Sequence, residues 1–87
     1  GLNSPFVLAL VFYVAVLDRA VLGAHLSRLN DTEAPLTTRL TACDSARDTF
    51  FYRQTARGNL EDLSRQDGAP KPLRAAAARI ARSLQTE

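Results

Sequence analysis

The apolar and polar positions of this chain divide it into one strongly apolar N-terminal stretch and three amphipathic stretches. From Phe6 to Leu17 every residue but one is apolar. A Ser–Pro pair precedes this stretch and is typical of a helix start, because proline at the first helical position needs no hydrogen-bond donor. Apolar residues then continue at helical spacing, which predicts a first helix over about residues 4–29.

The second stretch lies between turn residues and a glycine. The polar run at residues 30–33 predicts a turn and a cap, and Pro35 suits the first turn of a helix. Apolar side chains then recur on one side at a spacing of about 3.6 residues, which predicts a helix over about residues 33–57, ending at Gly58. Arg47 lies inside this apolar stripe.

The C-terminal third predicts one short and one longer helix. Acidic residues suit the start of a short helix at about residues 60–66, and a proline-containing connector follows it. A final helix over about residues 72–86 carries a narrow apolar seam of Leu73, Ala77, Ile80 and Leu84. Because no alternating strand pattern appears, we expect an all-α fold, a small bundle of three main helices and one short helix.

A chain of 87 residues is sufficient for a single helical domain, and we expect one domain over residues 1–87, as a processed chain or a fragment of a longer protein. Residues 32–87 contain few large apolar side chains, so we expect the first helix to be the central one. A small bundle cannot surround a helix that is apolar on all sides, so part of it is predicted to contact a protein partner or a second copy. The predicted interaction surface is Phe6, Val7, Leu10, Phe12, Tyr13 and Val16.

A membrane anchor is the alternative for the same helix. Twelve apolar residues span roughly 18 Å, against a hydrocarbon core of roughly 30 Å. An anchor over residues 5–26 reaches the required length but places Asp18 and Arg19 within the bilayer, at up to about 3 kcal/mol each. In this alternative, residues 30–87 form a soluble tail, and Arg19 with Arg28 marks the cytoplasmic side.

Two charges interrupt the apolar pattern, Asp18 on the first helix and Arg47 on the second. If the two helices face each other, these side chains are candidates for a buried ion pair that fixes the helix register. The alternative is that Asp18 lies at the rim and the Arg47 side chain reaches water.

The charge balance gives only a weak indication of a partner. Eleven basic residues against nine acidic ones give a net charge of +2, too small for a dedicated nucleic-acid-binding protein. A basic face on the last helix, which a nucleic acid or an anionic surface would contact weakly, consists of Lys71, Arg74, Arg79 and Arg82.

The sequence contains no recognisable catalytic or metal-binding arrangement. His25 is the only histidine, and Cys43 has no adjacent histidine to activate it, so we interpret both as structural. We expect no enzyme activity, no cofactor and no metal. The sequence therefore favours a non-catalytic, soluble intracellular interaction or assembly module, with the membrane-anchored subunit as the alternative.

Overall fold

The computed structural model describes residues 4–85 and contains four helices. They are α1 (Pro5–Leu29), α2 (Leu36–Ala46), α3 (Arg53–Ser64) and α4 (Lys71–Gln85). No strand occurs in residues 4–85, so the predicted all-α class is confirmed. The last residue of the predicted final helix, position 86, lies outside the described residues.

The first helix has the predicted bounds. Pro5 occupies its first turn, and the carbonyl of Ser4 accepts a hydrogen bond from the Leu8 amide at 3.0 Å. At the other end, the amide of Asn30 donates to the carbonyl of Leu26. With 25 residues, α1 is about 37 Å long. It extends beyond the other three helices, and the molecule measures 49 × 27 × 15 Å.

The predicted single helix over residues 33–57 is wrong, because residues 47–52 form a loop between α2 and α3. The backbone amides of Phe50 and Phe51 donate to the Asp18 carboxylate on α1, so they are not available to a continuous helix. The predicted stop at Gly58 is also wrong. Gly58 lies inside α3, where a side chain would meet nothing within 4 Å, and a helical glycine costs only about 1 kcal/mol.

The core consists of small and medium-sized side chains from all four helices. Only Leu22 and Leu29 come from α1, so the expectation that α1 is the central helix is corrected. Alanines supply much of the rest, and their small side chains let the helices approach closely enough to exclude water without many leucines. The remaining core residues are Ala42, Cys43, Ala46, Ala56, Leu60, Leu63, Leu73, Ala77, Ile80, Ala81 and Leu84.

The chain runs up and down, so one end of the bundle gathers the 47–52 loop and the C-terminal end of α4. An open cavity of about 350 Å³ at this end is lined by Phe50, Phe51 and Leu84, among others. The opposite end holds the connections 30–35 and 65–70. There the buried Arg39 side chain donates from Nε to the carbonyl of Leu29 at 2.9 Å, which ties α2 to the end of α1.

Candidate functional site

The N-terminal half of α1 projects from the bundle as an exposed apolar rod. We call residues 6–17 the apolar segment. Nine of its large side chains are at least 45% exposed, including Phe6 at 80% and Phe12 at 72%. The predicted interaction surface lies entirely on it, and of those six side chains only Val7 is as much as half-buried. What this surface contacts stays a prediction.

Exposed apolar side chains lie on all sides of the apolar segment. The consecutive residues from Leu10 to Val14 are all exposed, and at 100° per residue they point in every direction around the axis. Typical monomers expose apolar patches of only a few hundred Å², on the order of 300–600 Å². By length and composition α1 could cross a membrane, and only 6% of its most apolar 18-residue stretch is buried, unlike the core helix of a soluble protein.

The apolar segment ends at a carboxylate that holds the neighbouring loop. Asp18 Oδ2 accepts hydrogen bonds from Thr49 Oγ1 at 3.0 Å, from the Phe50 amide at 3.0 Å and from the Phe51 amide at 2.7 Å. Thr49 Oγ1 also accepts from the Tyr52 amide at the start of α3. Three donors therefore compensate the half-buried charge of Asp18, and α1 fixes the position of the loop.

The predicted ion pair between Asp18 and Arg47 does not form. The 47–52 loop begins at Arg47, so this residue leaves the helical stripe on which the sequence pattern placed it. The Arg47 guanidinium instead lies 3.3 Å from Asp44, with the two side chains 47% and 58% exposed. Asp18 does have partners on the facing element, but they are a hydroxyl and two amides. Nothing in the sequence pattern identified Thr49, Phe50 or Phe51 as those partners.

The predicted basic face lies mostly in solvent. Lys71, Arg79 and Arg82 are exposed and Arg74 is half-buried, while the apolar seam of α4 is buried as expected. The four cations extend over most of the length of α4 and lie on both sides of its midpoint. The structure therefore shows a dispersed basic surface, and the weak binding of an anionic surface by it stays a prediction.

His25 lies at a shallow polar cavity between α1 and α2. Its Nδ1 is 2.6 Å from Nη2 of Arg28, and the cavity of about 270 Å³ is lined mainly by hydroxyl side chains of α2. A smaller cavity of about 40 Å³ is lined by His25 together with Asp18 and Asp48. Within residues 4–85, the only side-chain hydrogen bond of the His25 ring is the one to Arg28, so no carboxylate or hydroxyl is bonded to it. Within residues 4–85, no group of three or more His, Cys, Asp or Glu side chains is placed to hold a metal ion.

Cys43 is completely buried in the core. Burial raises the pKa of its thiol to about 11, although the Arg79 guanidinium lowers it and the Asp44 carboxylate raises it further. The thiol is therefore protonated at neutral pH, which is typical of a packing residue rather than a nucleophile.

We expect the free energy of unfolding to fall between about pH 9, the ordinary thiol pKa, and about pH 11. The folded state holds the proton more tightly, so this contribution is complete below pH 9 and is lost as the pH rises, by at most roughly 1.4 kcal/mol per pH unit. Urea unfolding followed by circular dichroism at each pH measures it. Cys43→Ala is the control that removes the slope, and an equal slope in both proteins would exclude Cys43 as its source.

Known proteins supply no template for the apolar segment or the loop beside it: no family model matches the chain, and no curated protein or solved structure matches it.

Proposed function

We propose that this chain is a membrane-anchored helical module whose apolar segment inserts into a lipid bilayer. The observation that carries the proposal is exposure of large apolar side chains around the whole circumference of α1. A protein partner usually covers one stripe of a helix, whereas a bilayer surrounds a helix on every side. The uniform exposure therefore fits lipid better than a single docked surface.

The bundle limits how far α1 inserts. Leu22 is buried in the core and Asp18 is bonded to the 47–52 loop, so residues 18–29 belong to the bundle. This argues against the anchor over residues 5–26 that the sequence suggested. Residues 5–17 give about 20 Å of inserted helix, roughly two thirds of a 30 Å hydrocarbon core.

Charged residues begin abruptly at the end of the apolar segment. All 20 Lys, Arg, Asp and Glu residues of the chain lie at position 18 or later. Asp18 has its three donors, and Arg19 is exposed, where its long side chain can reach the lipid headgroups. Arg19 and Arg28 follow the apolar segment closely, and basic residues at this distance from a membrane helix favour a bundle on the cytoplasmic side.

Vesicle flotation tests the proposal by comparing the full chain with a fragment of residues 18–87. The full chain should float with vesicles of phosphatidylcholine and phosphatidylglycerol. The fragment should stay in the aqueous layer with its helical circular dichroism intact, because none of residues 5–17 is buried in the core. A full chain that is monomeric, soluble without detergent and left behind by vesicles would contradict the proposal.

Assembly with another protein chain is the second candidate function. It is favoured by small side chains on the exposed part of α1 within the bundle, where a second helix would find room to approach closely: Ala20, Gly23, Ala24 and Ser27. A side chain added at Gly23 would meet nothing within 4 Å. The flotation samples separate the two functions, because a full chain that ignores vesicles but forms a defined oligomer without lipid supports assembly.

A further inference from the structure

The 47–52 loop presents two aromatic side chains that the bundle does not cover. Phe50 is 77% exposed and Phe51 is 42% exposed. Their rings pack edge to face, with centroids 4.9 Å apart, so they form one compact apolar projection. In residues 4–85, only Phe6 is more exposed than Phe50 among the large hydrophobic side chains.

This projection lies at the level where the apolar segment ends. Side chains on a helix lean toward its N-terminus, so the Asp18 carboxylate lies beside the turn that precedes it, within the last turn of the apolar segment. The amides of Phe50 and Phe51 lie within 3.0 Å of that carboxylate. The two phenyl groups are therefore held next to the boundary between the apolar segment and the bundle.

We propose that Phe50 and Phe51 form a second membrane contact, inserted at the boundary between lipid headgroups and acyl chains. This inference rests on the proposed insertion of the apolar segment. A bilayer is the occupant favoured here because the backbone of both residues is bonded to Asp18, at the polar edge of the apolar segment. Aromatic side chains collect at this depth in membrane proteins. Asp18 then acts as a positioning residue that holds the loop at that depth.

The absence of tryptophan from the chain makes a direct test available. Three variants of the full chain each carry one tryptophan: Phe12→Trp in the apolar segment, Phe50→Trp in the loop, and Leu36→Trp as the control. Leu36 is also exposed, but it begins α2 at the opposite end of the bundle, roughly 18 Å farther from the segment. The probe is a vesicle of phosphatidylcholine and phosphatidylglycerol with brominated acyl chains, which quench tryptophan fluorescence on contact.

We expect strong quenching of the tryptophan at position 12, at least twofold quenching at position 50, and almost none at position 36. Quenching at position 50 that is no greater than at position 36, with position 12 strongly quenched, would overturn the inference and leave the proposed function intact. An unquenched tryptophan at position 12 would overturn both.

Adding Asp18→Ala to the Phe50→Trp protein tests the positioning role. Loss of the carboxylate frees the loop, so quenching at position 50 should fall by about half, while quenching at position 12 in the matched Asp18→Ala protein stays unchanged. Unchanged quenching at position 50 would show that Asp18 does not set the depth of the loop. If Asp18→Ala lowers the helical circular dichroism, Thr49→Val replaces it. This variant removes one donor to Asp18 and the acceptor of the Tyr52 amide, and it leaves the Phe50 and Phe51 amides bonded to Asp18.

Discussion

Leu10→Lys together with Val14→Lys should release the full chain from membranes. These two residues lie on one side of α1, within the apolar segment, and both are exposed, so the bundle does not depend on them. A lysine near the centre of a membrane helix costs about 2.5–3.5 kcal/mol, so the pair costs about 5–7 kcal/mol. Every 1.4 kcal/mol is a factor of ten, and the partition coefficient into vesicles should fall by about four orders of magnitude.

Leu36→Lys is the control for the position of the added lysines. It adds one lysine, half the charge that the double variant adds, at an exposed apolar residue on α2, outside the apolar segment. Its partition coefficient should equal that of the unmodified chain. If the double variant still binds vesicles as tightly as the control, the apolar segment is not the anchor.

Asp18→Ala should lower the free energy of unfolding of the bundle by about 2–3 kcal/mol. The change removes three charge-assisted hydrogen bonds that join α1 to the 47–52 loop. Buried bonds of this kind are worth more, but water can replace the carboxylate at the exposed amides, which reduces the loss to about 1 kcal/mol per bond. Urea unfolding in nonionic micelles, followed by circular dichroism, measures the difference.

Arg47→Leu is the informative comparison for Asp18→Ala. Its ion pair with Asp44 is exposed, so its removal should change the free energy of unfolding by no more than about 0.5 kcal/mol. The effects of the two substitutions should add in the double variant, because the two side chains have different partners. A coupling above about 1 kcal/mol would mean that Asp18 and Arg47 interact after all.

The first and last helices, α1 and α4, could be predicted because the residues that define them are close together in the sequence. Pro5 starts α1, and the apolar seam from Leu73 to Leu84 defines the buried side of α4. The periodicity of apolar residues did not predict the break between α2 and α3, because the loop there is held by Asp18, which lies 31–33 positions earlier in the chain. The predicted helix end at Gly58 was wrong because tertiary packing keeps α3 helical through a residue that disfavours helices.

Of the candidate site, the sequence predicts the apolar segment but not the position of Phe50 and Phe51. The apolar segment is evident from twelve consecutive positions, but Phe50 and Phe51 fit the apolar stripe of one long helix equally well. The signal that could have separated them is the run of β-branched and aromatic residues from Thr49 to Tyr52, which disfavours a helix. The expectation that α1 is the central helix was wrong because it rested on the number of large apolar residues, whereas alanines fill much of the core.

Because α1 is continuous, its inserted half and the bundle change orientation together. α1 runs unbroken from Pro5 to Leu29, and Arg39 clamps its far end to α2, so the inserted half and the bundle turn together. In the proposed membrane-bound state, an average tilt of about 20° of the inserted helix moves the far end of α1 sideways by about 6 Å over its last 18 Å. The contacts at the membrane interface that set the tilt of the inserted half would thereby determine the angle at which the bundle leans over the membrane surface.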